Sequence, residues 1–118
     1  MRVLFVCSRN RLRSPTAEQV LGSIPGVEVD SAGVAPDAQT RLSAEQVEWA
    51  DVIFVMENQH RTALSRRFSN HLKGKRVICL DIPDNYGYMD PELVTVLKKA
   101  IPRHLPSLSG ALNPPNAV

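Results

Sequence analysis

The pattern of this 118-residue chain predicts an α/β fold, a four-stranded parallel sheet with helices on both faces. Three observations lead there. Four short apolar runs, at residues 3–6, 27–29, 51–56 and 76–80, are separated by helix-like stretches. Such alternation implies parallel strands joined by right-handed crossovers. The first run is apolar throughout instead of alternating, as a strand buried on both faces is. Apolar residues make up 43% and charged residues 22%, the balance of a globular domain with one core.

The elements follow in order. Val3–Val6 is a buried strand that ends on Cys7. Ser14 suits a helix N-cap with Pro15 at the first helical position, and Ala17, Val20 and Leu21 follow at helical spacing. Pro25, between Gly22 and Gly26, ends that helix, and Val27–Val29 makes the second strand. Residues 34–42 read as loop, with Pro36 and Asp37 as turn formers. Ser43 and Gln46 have capping-box spacing and start a short helix ending near Trp49.

The clearest strand lies within Asp51–Met56, and Asn58–Phe68 is a polar helix with Ala63, Leu64 and Phe68 on its apolar face. The strand Arg76–Leu80 leads into a loop, Asp81–Met89, that holds Tyr86 and Tyr88. Asp90 caps a last helix with Pro91 at its first position; Leu93, Val94, Val96, Leu97 and Ile101 supply its buried side. The domain is expected over residues 1–101, and residues 102–118, rich in Pro, Ser and Asn, as a flexible tail.

Composition excludes several classes of function. Two cysteines, Cys7 and Cys79, and three histidines without ligand spacing make no four-ligand set, so neither metal nor cofactor is expected. No stretch is long and apolar enough to cross a bilayer, and arginines follow the first apolar run where a signal peptide would continue. A cytoplasmic protein without a membrane partner is the expectation. Net charge is +2, and the basic run Arg61–Arg76 has little aromatic interleaving, so it reads as a solvated face and no nucleic-acid partner is expected.

The chemistry concentrates in residues 7–15. In parallel sheets ligands bind beyond the carboxyl ends of the strands, where both Cys7 and the Asp81–Met89 loop fall. Between Cys7 and the next helix, Ser8, Arg9, Asn10, Arg11 and Leu12 can turn their N–H groups toward an anion, aided by the helix dipole. Arg13 can grip two anion oxygens with its planar fork. Ser14 can donate to the Cys7 sulfur, and Asn10 tolerates a left-handed backbone and can pin the loop. A thiol attacks as the thiolate, a form that helix N-termini and nearby cations favour.

Residues 6–15, V-C-S-R-N-R-L-R-S-P, resemble the signature of low-molecular-weight protein tyrosine phosphatases, V-C-x-G-N-x-C-R-S-P. Ser31-Ala32-Gly33 is similar to that family's S-A-G stretch, and residues 50–56, A-D-V-I-F-V-M, to its A-D-x-I-x-x-M segment. The resemblance covers roughly residues 2–101 and is strongest at the loop. It implies that Cys7 is the nucleophile that forms a phosphocysteine, with Arg13 binding phosphate and stabilising the transition state. The implied substrate is a phosphotyrosine-containing protein or a small aryl phosphate.

The family's general acid is the aspartate of P-D-P-Y, which here reads Pro83-Asp84-Asn85-Tyr86, so Asp84 is the first choice and Asp81 the second. The one literal Asp-Pro pair, Asp90-Pro91, is better explained as a helix start. Such an acid protonates the leaving oxygen, then serves as base toward water. Tyr86 and Tyr88 are candidates to wall an aromatic pocket.

Two departures stand inside the loop: Arg9 replaces the family's glycine and Leu12 its second cysteine. Two other readings remain. An arsenate reductase of the same fold needs further cysteines, and this chain offers only Cys79. A non-catalytic phosphate-binding pseudophosphatase would keep the loop and lose turnover.

Overall fold

The computed structural model describes residues 1–114. Strands β1 (Arg2–Cys7), β2 (Glu28–Gly33), β3 (Val52–Val55) and β4 (Arg76–Cys79) form one parallel sheet in the order β2-β1-β3-β4. Helices α1 (Arg13–Gly22), α2 (Ala44–Trp49), α3 (Asn58–Phe68) and α4 (Pro91–His104) connect or follow them. The expected α/β fold is therefore the observed one. Cys7 stands opposite Gly33, Val6 opposite Val55, and Val55 opposite Cys79, so the four strands end nearly level.

Alternation along the strands divides the core in two. Val3, Phe5, Val52 and Phe54 face α1 and α4, meeting Ala17, Leu21, Leu93, Leu97 and Ile101. Leu4, Val6, Ile53 and Val55 face the other way, toward Val47 of α2 and Leu64 of α3. Both faces of β1 are thus buried, which is why its sequence is apolar without a break. The Phe5 and Phe54 rings stack with centroids 5.5 Å apart.

Several boundaries match the sequence reading. The Ser43 and Gln46 capping box is present, and Asp90 accepts from the Glu92 N–H at 2.9 Å with Pro91 at the first turn of α4. The second strand is longer than Val27–Val29, running through Ser31 and Ala32 because β1 pairs with it to the level of Cys7.

The flexible tail expected from Pro102 is corrected over the described residues. Helix α4 continues through Pro102 to His104, and a 3-10 turn (Pro106–Leu108) leads into the short α5 (Ser109–Leu112). Leu105, Leu108 and Leu112 are buried against the α4 face of the sheet. Pro102 has no N–H to give the Lys98 carbonyl, and the Asn113 side-chain amide donates to that oxygen at 2.7 Å instead. Composition alone hides such a compensation. The rest of the expected tail lies outside the described residues.

Candidate active site

Cys7 ends β1 and is 2% exposed. Its sulfur accepts from the Asn10 backbone N–H at 3.2 Å and lies 2.9 Å from the Ser14 hydroxyl. The Asn10 amide donates to Ser14 Oγ and to Ser31 Oγ, each at 2.9 Å. With its oxygen occupied by that donor, Ser14 has its own proton free for the sulfur. Two donors converging in this way suit a sulfur that carries negative charge. Ser14 is not the helix cap the sequence suggested: α1 begins at Arg13, and Leu12 precedes it without any side-chain capping bond. The hydroxyl is spent on Cys7.

The loop owes its shape to two residues. Asn10 takes the left-handed conformation, φ 56°, which asparagine tolerates. Arg9, at the position of the family glycine, is not among the positive-φ residues, so its side chain brings no backbone strain. Gly33 is needed for space: a Cβ there would stand 2.5 Å from the Ser8 carbonyl oxygen and 2.9 Å from the Asn10 nitrogen. Ala35 and Gln39 tie the loop down by donating to the Ser8 and Arg9 carbonyls. The N–H groups of Ser8, Arg9, Arg11 and Leu12 have no protein acceptor among the described residues. They remain available to an anion beside the α1 N-terminus.

Arg13 is 2% exposed although charged. Its Nη1 donates to Glu57 Oε1 at 2.5 Å and to the Ile82 carbonyl at 2.8 Å, while Nε lies 3.7 Å from Asp84 Oδ1. Glu57 stands just past the end of β3, and the bond from Arg13 holds its carboxyl below the ordinary glutamate value. One edge of the guanidinium is thereby fixed, and the group is presented to the loop.

Beneath them lies His60, fully buried. Burial pushes its pKa from 6.5 down to about 4, and the Arg13 charge acts in the same direction. The Glu57 backbone N–H donates to Nδ1 at 3.0 Å, and Nε2 lies 2.9 Å from Ser8 Oγ.

An open cleft of about 620 Å³ is lined by Cys7, Ser8, Arg9, Arg11, Leu12, Arg13, Ala35 and Asp84. The sequence-chosen residues thus meet, apart from Asn10 and Ser14, which brace the loop from below. Asp84 reaches the cleft with a 58% exposed side chain. Asp81 is not among the lining residues; it takes φ 57° in the turn that follows β4. The expectation for the tyrosines is corrected: Tyr86 packs on the α4 side of the core, Tyr88 is 53% exposed, and neither lines this cleft. The apolar wall is Leu12 and Ala35.

Glu57 and His60 were not singled out from the sequence, and Ser31 entered only as part of the Ser31-Ala32-Gly33 stretch, without a role of its own. A usable signal existed for Glu57 and His60, which follow β3 at the same carboxyl end as Cys7. Cys79 packs on the opposite face of the sheet from Cys7. β3 lies between their strands, a separation of roughly 10 Å that no disulfide spans. Among the described residues no cluster of His, Cys, Asp or Glu is placed to hold a metal ion, and no helix is long and apolar enough to cross a membrane.

No family model matches the chain. A protein-arginine-phosphatase of Geobacillus stearothermophilus is 32% identical over 91 residues, 57% of this chain. The match spans 62% of that curated relative's length. The solved YwlE arginine phosphatase from Geobacillus stearothermophilus superposes with a TM-score of 0.71 at 24% identity, over 98% of this chain and 99% of its own. The tyrosine phosphatase Wzb from Escherichia coli K30, in complex with phosphate, gives 0.74 at 22% identity over 91% and 97%. SP-PTP, a low molecular weight protein tyrosine phosphatase from Streptococcus pyogenes, gives 0.73 at 19% over 91% and 92%.

Proposed function

From the low-molecular-weight phosphatase fold that this chain has, we propose that it is a cysteine-dependent phosphatase acting on phosphotyrosine or a related aryl phosphate. The observation that carries the reading is the Cys7 sulfur, met by Ser14 and Asn10 in a cleft lined also by Arg13 and by the four loop residues whose N–H groups have no acceptor among the described residues.

The Cys7 thiolate attacks phosphorus as the bond to the ester oxygen breaks, and Asp84 gives its proton to that leaving oxygen. Arg13 and the loop N–H groups hold the three nonbridging oxygens while charge spreads over them. Water then attacks the phosphocysteine, Asp84 takes its proton, and the sulfur leaves again as a thiolate that Ser14 stabilises. Each step is supplied by residues lining or bracing the cleft.

Leu12 and Ala35 offer apolar contact to an aromatic ring, and Arg9 and Arg11 at the rim disfavour a cationic leaving group. A phosphoarginine substrate is the second reading, favoured by the activity named for the curated relative. Purified protein is expected to release nitrophenol from p-nitrophenyl phosphate without added metal, with Cys7→Ser inactive. Asp84→Asn is expected to lose kcat on poor leaving groups while Asp81→Asn keeps it. A higher kcat/KM on phosphoarginine than on phosphotyrosine peptides would replace the aryl assignment; activity surviving in Cys7→Ser would remove the mechanism.

A further inference from the structure

The hydrogen bonds beneath the loop fix where one more proton points. A backbone N–H can only donate, so the Glu57 amide at 3.0 Å requires a bare Nδ1 on His60. In the neutral ring the proton then sits on Nε2, which must donate to Ser8 Oγ at 2.9 Å. Burial keeps the ring neutral at ordinary pH by pushing its pKa to about 4. Ser8 therefore accepts from His60, and its own O–H is left to donate elsewhere. That hydroxyl has no other hydrogen-bond partner among the described residues, and Ser8 lines the cleft beside Cys7 and Arg13.

We propose that the Ser8 hydroxyl donates a hydrogen bond to a nonbridging oxygen of the phosphoryl group held over Cys7, with His60 as the positioning residue that turns it there. The inference rests on the phosphatase reading of the cleft and adds a side-chain donor to the backbone N–H groups and Arg13. Leucine or alanine at position 8 would offer the anion nothing but its backbone. A serine pinned from below offers one directed O–H, and the His60 ring, closed in on all sides, cannot swing away from it.

The test is inorganic phosphate binding to the full chain by calorimetry at neutral pH, with p-nitrophenyl phosphate turnover measured separately. A hydrogen bond to a charged group is worth enough that Ser8→Ala is expected to bind phosphate about ten- to a hundredfold more weakly. Ser8→Thr, which keeps the hydroxyl, is expected to recover most of that affinity. His60→Phe is expected to lose most of what Ser8→Ala loses, and the double variant less than the two losses added together.

Unchanged affinity in Ser8→Ala overturns the proposal, and so does Ser8→Thr binding as poorly as Ser8→Ala. Should His60→Phe not fold, the two Ser8 variants decide the matter alone. Ser8-dependent phosphate binding without nitrophenol release would overturn the phosphatase reading and leave this assignment standing. A wild-type chain that binds no phosphate overturns both.

Discussion

Glu57 makes a prediction that the structure can size. It holds Nη1 of Arg13 at 2.5 Å, and Arg13 is nearly sealed from solvent. Glu57→Gln keeps an acceptor at that place and removes its charge. Arg13 stays charged, so the bond remains one to a charged group and the loss is the ion-pair attraction, about 1 kcal/mol for a pair open to solvent on one side. The Glu57 side chain is 31% exposed, and solvent screening keeps the value from rising further.

Urea denaturation at pH 7 is therefore expected to show a loss of about 1 kcal/mol. The looser guanidinium is expected to lower kcat by up to about tenfold, the equivalent of about 1.4 kcal/mol. The pH dependence supplies a second check. Arg13 lowers the Glu57 pKa below its ordinary 4.5, so the stabilisation is complete above that pH and is lost as pH falls through the lowered value. Wild type and Glu57→Gln should thus converge in stability in acid. A stability gap that stays constant from pH 7 into that range would refute the assignment of Glu57 as the charged anchor of Arg13.

Three further outcomes follow from the same contacts. Gly33→Ala pushes a methyl into the Ser8 carbonyl and the Asn10 nitrogen, so it should cost about 1–3 kcal/mol and weaken phosphate binding; a variant with native affinity would show that the loop yields freely. Asn113→Ala removes the donor that replaces the missing Pro102 N–H, and the urea midpoint should fall by the equivalent of about 0.5–1.5 kcal/mol. His60 stays neutral in the fold down to about pH 4, whereas the unfolded chain takes up that proton near 6.5. Stability should therefore decline as pH falls between those values, with Arg13 favouring neutrality and Glu57 and Asp84 opposing it, and His60→Phe should lack that part of the slope.

Much of this molecule was legible locally. An unbroken apolar run bounded by Cys7 marked a central strand, and the α3 limits and the caps at Ser43 and Asp90 depend only on neighbouring residues. The Cys7–Arg13 spacing was readable for the same reason. What escaped depends on distant partners. Glu57 reaches Arg13 across 44 positions and His60 reaches Ser8 across 52, so no short window contains either pair. The segment after Pro102 was misjudged because its Pro, Ser and Asn were weighed as tail composition, while Leu105, Leu108 and Leu112 spaced along it do the burying. For Ser14 the local sequence supported both a helix cap and a bond to the Cys7 sulfur; the structure has the second, because α1 starts one residue earlier and leaves the hydroxyl to Cys7.

The central claim is that Cys7 carries the phosphoryl group during turnover. Rapid acid quenching of wild-type protein mixed with p-nitrophenyl phosphate, followed by peptide mass spectrometry, tests it directly. A phosphoryl group on the Cys7 peptide, accumulating in Asp84→Asn and absent in Cys7→Ala, is the expected result. Turnover with that peptide unmodified, or a phosphoryl group on another residue, would contradict it.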